Sequence, residues 1–447
     1  MKKKYSISLT IGLCLFLGVE NLLSAQKIHT TVAQNLPYYR TILIKNIEKN
    51  KVYDQLTNQD FAFTSVSVRV EQNADFTDAR LNCFDEQTFA LKTDDHQDDQ
   101  ESTKTSQLVM PIGVQQNASL YSANLTGNVY ITFFYAKPMA ELPIPNQNPI
   151  SIQTGCTKPA VVPQSVWRNG LPAPWPNPVA THVFHCVVHH AASTNSDSIG
   201  LNTIRNIYLF HTTLPPAGNG WADVGYNFLI APNGTIFEGR DGQGSTSTDS
   251  VRGAHFCGKN ANTMGVCMMG DYMTTKPTNA SLNALEKILT WKMFKENLWA
   301  NDSSQHPIGS QAGYWLKRLV GHRDGCSTDC PGDSLYPMLP LLRAKITTNM
   351  YLCNGGIGFE ELTKNRKTLT IYPNPAQTTI ELLLNNRAID LDSYRKIELI
   401  DVLGKAFFLE RMNNYQPINV THLGKGVYFI KLINQKDEML VGKFIKQ

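Results

Sequence analysis

Two segments more than a hundred residues apart carry the residue types of one metal site, and this separation is what most constrains the fold. Upstream, the apolar run His185-Cys186-Val187-Val188 ends in His189-His190. Downstream, Gly321-His322-Arg323-Asp324 is followed by Thr328-Asp329-Cys330-Pro331-Gly332. Imidazole and thiolate are ligands that zinc prefers, and three of them leave a fourth tetrahedral position for water, the mark of a catalytic site. No zinc-finger spacing covers such a distance, so the site has to be assembled by tertiary structure. Between the two segments, Tyr226 to Ile230 and Thr235 to Glu238 read as strands. Pro232-Asn233-Gly234 joins them, and its Asn-Gly step supplies the positive φ of a tight hairpin.

A chain of 447 residues holds two to four domains. Its net charge of +4 argues against a dedicated nucleic-acid binder, which concentrates basic residues on one face. Residues 1–25 read as a signal peptide: Lys2-Lys3-Lys4, an apolar run from Ile7 to Val19, then Leu23-Ser24-Ala25 before Gln26. The run is too short for a membrane span, and no other segment could cross a bilayer once it is cleaved. Cys14 behind Gly12-Leu13 makes a poor lipoprotein box, so cleavage is expected near Ala25 with no lipid anchor. Eight cysteines remain: Cys83, Cys156, Cys186, Cys257, Cys267, Cys326, Cys330 and Cys353. An exported chain can pair them. A cysteine on a metal leaves an odd number, hence at least one free thiol, and Cys156 and Cys353 are placed to tie the ends of the central region together.

The texture changes along the chain. Residues 26–135 alternate as strands do, for example Phe61 to Val70 and Asn128 to Phe134, and predict a β-sandwich. The acidic run Asp94 to Glu101 reads as a solvated loop, since it lacks the Gly and bidentate Glu of a calcium loop. Residues 136–154 read as a proline-rich linker. Residues 155–350 interleave strands, Val183 to Val188 and Met264 to Met269, with helices expected at Ser198 to Thr212 and Asn279 to Leu298, the second opening on an Asn or Ser cap. That pattern predicts an α/β domain with a mixed sheet flanked by helices. After a linker at 351–366, residues 367–447 return to short alternating strands: Thr379 to Leu384, Lys396 to Val402, Gly426 to Leu432 and Met439 to Ile445. The expected architecture is thus a central α/β domain between an N-terminal β-sandwich-like domain and a small C-terminal β-sandwich.

From roughly Ser165 to Arg343 the chain resembles the peptidoglycan recognition proteins and type 2 N-acetylmuramoyl-L-alanine amidases. The shared features, in order, are the His-His pair, Trp221-Ala222-Asp223-Val224-Gly225-Tyr226-Asn227-Phe228, the Gly253-Ala254-His255 turn, Gly321-His322-Arg323-Asp324 and Thr328-Asp329-Cys330-Pro331-Gly332. The last eighty or so residues resemble the sorting domains of type IX secretion cargo, through Tyr372-Pro373-Asn374-Pro375, Asp401 to Lys405 and Gly426 to Lys431. The second resemblance implies the type IX machinery as a partner, passage through the periplasm and across the outer membrane, then release or surface attachment.

The first resemblance implies a Zn2+ cofactor held by His189, His322 and Cys330, with His190 turned to the opposite face of its strand. Cys326 departs from the family pattern; it pairs with another cysteine or lies near the metal. Tyr226 is implied as the catalytic tyrosine that donates to charge appearing in the transition state. The Thr328 hydroxyl serves the same oxyanion or caps its turn, and Asp324 orients His322. His211, His255 and Asn260 match positions lining the muropeptide groove. Gly220-Trp221 is the pair associated with meso-diaminopimelate stems, and Arg240 can meet the extra carboxylate of that residue. The function implied is hydrolysis of the amide between N-acetylmuramic acid and L-alanine of peptidoglycan. Two other readings are a non-catalytic peptidoglycan-binding module, against which Cys330 argues, and a surface adhesion or structural protein, suggested by the flanking β domains.

Overall fold

The computed structural model describes residues 31–139, 156–308, 313–353 and 369–447, apart from short stretches at 58, 72–73, 84–86, 95–102, 385–386, 402–404, 408–416 and 436–438. The expected signal peptide, most of the linker and most of the acidic run lie outside the described residues. Among the described residues no helix is long and apolar enough to cross a membrane.

The central sheet has five strands in the order Ile236–Glu238, Phe228–Ile230, Thr263–Met268, His185–His190, Leu319–Gly321. His185–His190 runs parallel to both its neighbours, and Phe228–Ile230 is parallel to Thr263–Met268. Only the edge strand Ile236–Glu238 is antiparallel, closing the expected hairpin. The sheet is mixed and covered on both faces. Alternation along the strands divides the core: Cys186, Val188, Val266 and Met268 face the Asn279–Lys295 and Leu339–Cys353 helices, while Leu229 and Cys267 face the Leu201–Thr212 helix. The Cys156–Cys353 disulfide ties the ends of this domain together.

Helix boundaries differ from expectation for identifiable reasons. The first helix begins at Leu201 rather than Ser198, because the Asp197 carboxylate accepts from the backbone N–H groups of Gly200 and Thr203 and holds the chain outside the helix up to Gly200. The second is capped by Thr278, not by Asn or Ser: its hydroxyl accepts from Ser281 N–H. That helix stops at Lys295, since Asn297 adopts a left-handed conformation two residues on. The Leu339–Cys353 helix runs three residues into the segment read as linker.

The N-terminal domain is two sheets, one of five strands centred on Gly127–Phe134 and one of four. Val66, Val68, Ile131, Leu81 and Leu120 fill the space between them. Asp94, expected in a solvated loop, is buried, and its N–H donates to Thr105 O. The C-terminal domain also has two four-stranded sheets, packed on Ile380, Leu399, Ile430 and Phe444.

A buried charge cluster fastens the loop before the Gly253-Ala254-His255 turn to the Asn279–Lys295 helix. The Lys292 ammonium, with no exposed side-chain surface, lies 2.7 Å from Asp249 and 2.6 Å from Glu296. Burial alone would raise the Asp249 carboxyl; hydrogen bonds from Lys292 and Lys295 outweigh it and hold the group below the usual carboxylate range. Removing one partner strands the other charges without water. Lys292→Ala should therefore cost about 3–5 kcal/mol in denaturant unfolding of the full chain, while Lys295→Ala, at the half-exposed edge, should cost under about 1 kcal/mol.

Candidate metal centre and its surroundings

Parallel pairing delivers the ligand-type residues to one place. Val188 pairs with Gly321, so the next residue on each chain, His189 and His322, comes to the same edge of the sheet. Cys330 arrives from the turn beyond His322, where Arg323 N–H donates to Cys330 O. His189, His322 and Cys330 are all buried, and one ligand atom from each lies within 4.8 Å of the others. The Cys330 Sγ is 3.7 Å from His189 Nδ1, which marks the ring nitrogen that faces the shared space. Two imidazoles and a thiolate suit Zn2+ in chemistry and number, with one tetrahedral position left over.

The other nitrogen of His189 points to a partner. His189 Nε2 is 3.0 Å from His255 Nδ1, and His255 Nε2 is 3.2 Å from the Thr263 hydroxyl. A fixed partner on the far nitrogen sets tautomer and ring orientation, as around metal-bound histidines generally. The His255 ring lies over Gly265, where a Cβ would come within 2.7 Å of it, so that strand position has to be glycine. His255 is thus buried behind His189. Asn260 holds it there, its Oδ1 accepting from the N–H groups of His255 and Phe256. His190 faces the other side of the strand, where its Nδ1 accepts from Tyr272 N–H.

Tyr226 and His211 flank the centre. The Tyr226 ring is 5.2 Å from that of His189 and 5.8 Å from that of His211. Burial, followed by the Cys267 and Cys330 sulfurs and the Asp94 carboxylate, pushes the Tyr226 phenol well above its usual range. The phenol therefore keeps its proton at neutral pH and can donate it. The buried Cys267 thiol is its hydrogen-bonding neighbour, a contact that reading the sequence did not find. The Trp221 ring packs against that of His211 at 4.5 Å, tilted by 51°, and His211 Nδ1 accepts from Gly225 N–H. Gly220 takes φ +69° just before Trp221.

Several motif residues hold backbone. The Asp223 carboxylate accepts from Gln164, Val224 N–H and Asp241 N–H. Asn227 bridges Gly265 N–H to the carbonyls of Thr248 and Val251. Arg240, which the sequence offers as a carboxylate partner, sends Nε to Val224 O, Nη1 to Arg252 O and Nη2 to Asp223 O, so a substrate carboxylate would compete with three backbone carbonyls for its fork. The Thr328 hydroxyl accepts from Cys330 N–H, a turn-capping geometry that leaves its own proton available. The Asp324 carboxylate accepts from Gly321 N–H and the Tyr336 hydroxyl, fixing the turn that carries His322. Cys326 is bonded to Cys257, which joins the loop after His255 to the loop after His322 and leaves Cys330 as the thiol beside the histidines.

Comparison with known proteins agrees with this geometry. Residues 180–333 match the N-acetylmuramoyl-L-alanine amidase family, and residues 370–447 match a secretion system C-terminal sorting domain. Peptidoglycan recognition protein 1 of Mus musculus is 30% identical over 194 residues, covering 42% of this chain and 90% of that protein. A peptidoglycan recognition protein of Trichoplusia ni is 32% identical over 151 residues, 34% of this chain and 69% of its own length. The N-acetylmuramoyl-L-alanine amidase of Homo sapiens is 28% identical over 190 residues, which is 41% of this chain but 28% of that larger protein. The chain belongs to the family of peptidoglycan recognition proteins and N-acetylmuramoyl-L-alanine amidases, and it carries a type IX sorting domain at its C-terminus.

The His189–His255 contact makes a quantitative prediction. His255→Ala should weaken Zn2+ binding about 10- to 100-fold in chelator competition, by freeing the His189 ring to turn. An unchanged affinity would show that His255 does not orient the ligand.

Proposed function

We propose that this protein is an exported, zinc-dependent N-acetylmuramoyl-L-alanine amidase that releases stem peptides from peptidoglycan of the meso-diaminopimelate type. The observation that carries the reading is the convergence of buried His189, His322 and Cys330 within 4.8 Å of one another beside a protonated Tyr226. Recognition alone has no need of this donor set with a phenol against it.

His189, through Nδ1, His322 and Cys330 would hold the zinc ion. When bound there, zinc supplies Lewis-acid polarisation of the amide carbonyl and lowers the pKa of a water to about 7. The chain's own groups do the rest. His255 holds the His189 ring in one tautomer. The Tyr226 hydroxyl donates to the oxyanion that develops on the lactyl carbonyl; its raised pKa keeps that proton in place until charge appears, so the bond strengthens in the transition state. The Thr328 hydroxyl, which accepts from Cys330 N–H, keeps its own proton to offer as a second donor. His211, Gly220 and Trp221 form the wall that receives the stem peptide. The sorting domain supports export across the outer membrane, to the medium or the cell surface.

Digestion of purified diaminopimelate-type sacculi, with products identified by mass, tests the proposal. Wild-type protein should release stem peptides with a free L-alanine amino terminus, and both Cys330→Ala and chelation should abolish release. Tyr226→Phe should bind zinc normally yet lose about 10²- to 10³-fold in kcat. Intact sacculi that co-sediment with zinc-loaded wild-type protein would instead identify a recognition module.

A further inference from the structure

The strand Ser65–Glu71 of the N-terminal domain reads Ser-Val-Ser-Val-Arg-Val-Glu. Its alternation puts Val66, Val68 and Val70 in the sandwich core, which leaves Ser65, Ser67 and Arg69 on the outer face. An outer face of this composition belongs in water, yet all three residues are buried, Arg69 included. They are covered by the central domain. The Oδ1 of Asn206, on the Leu201–Thr212 helix, accepts from Thr64 and Ser65 hydroxyls at 2.7 and 2.8 Å. Phe134 meets Phe210 edge to face, and both belong to the core cluster that contains Tyr226. Arg69 Nη2 donates to Gly218 O at 2.9 Å.

Gly218 sits in the loop that runs from the helix end to Trp221. The loop is pressed onto the helix from below: a Cβ at Gly218 would lie 2.3 Å from Phe210 O. Trp221 N–H donates to His211 O, and the Trp221 ring rests on His211, next to Tyr226. A continuous set of contacts thus joins Arg69 to the wall of the proposed site. Arg69 Nη1 also lies 3.5 Å from the Thr103 hydroxyl of its own domain, so the guanidinium is held from its own side while Nη2 reaches across the boundary; burying it there costs desolvation that a merely tethered accessory module would not need.

We infer that the N-terminal β domain is part of the substrate-binding apparatus, and that Arg69 is the positioning residue through which it holds the 213–221 loop. The loop's role in binding rests on the function proposed above; the mechanical link from Arg69 to the loop does not.

The test uses the full chain with Arg69→Ala and Arg69→Lys, the second keeping a donor. Three quantities are read: backbone amide exchange across residues 213–221, binding of soluble muramyl tripeptides with diaminopimelate or lysine at the third position, and KM and kcat on sacculi. Arg69→Ala should speed exchange in 213–221 while leaving the His185–His190 strand protected. It should bind the diaminopimelate ligand roughly tenfold more weakly, with a smaller preference over the lysine ligand. KM should rise with kcat retained, and Arg69→Lys should recover part of each loss. If Arg69→Ala does not fold, Arg69→Gln against Arg69→Lys carries the same comparison. Unchanged exchange at 213–221, or faster exchange with binding and preference intact, overturns the inference. If wild-type protein binds neither ligand, the proposed function fails, and loop exchange alone then decides whether Arg69 holds the loop.

Discussion

The structure depends on the position of one strand. His185–His190 lies between two parallel partners, and its register with Leu319–Gly321 brings residues separated by more than a hundred positions to one sheet edge. Parallel strands expose their carboxyl ends together, which is where open α/β sheets place their sites. One residue past its last pairing with Leu319–Gly321 the chain offers His189, one residue past its own end the neighbour offers His322, and the following turn offers Cys330. A slip of one residue would turn His189 toward the helices of the opposite layer and put His190 in its place.

Around that pairing the molecule invests in holding backbone. Asp223, Asn227, Asp324 and Arg240 spend their side chains on main-chain groups, as do Asn260 and, for its acceptor, Thr328. Reading a motif as a row of functional groups overlooks this. A ligand or donor misplaced by about 1 Å loses much of its effect, so loops carrying such groups need fixed partners. The Cys257–Cys326 bond belongs to the same design, since it links the loop behind His189 to the loop that begins at His322. The N-terminal domain extends the design across a domain boundary, through Asn206 on the helix and Gly218 on the loop.

The order of elements was legible because each has a local cause. Alternation marked the strands, Asn233-Gly234 marked the hairpin, and the histidine and cysteine motifs marked the centre. Helix ends were less legible. Asp197 and Thr278 set them through single side-chain hydrogen bonds, and neighbouring Ser, Asn and Thr residues compete for the same role. The burial of Asp94 and of the Ser65-Ser67-Arg69 face could not be read, because a polar strand face looks the same whether water or another domain covers it.

The sequence by itself determined the chemistry: which donors exist, in what number, and that a β-rich sorting domain accompanies them. Those are properties of residue types and short periodicities, and they survive without knowledge of distance. Tertiary structure decided which nitrogen of His189 faces the shared space, that Cys326 is taken by Cys257 while Cys330 is left, and that His255 stands behind His189. It also decided that Ser67 and Arg69 of the N-terminal domain meet the carbonyls of Ala217 and Gly218 in the loop beside the centre. Each of these depends on which groups, far apart in the chain, exclude water from one another, and only packing fixes that.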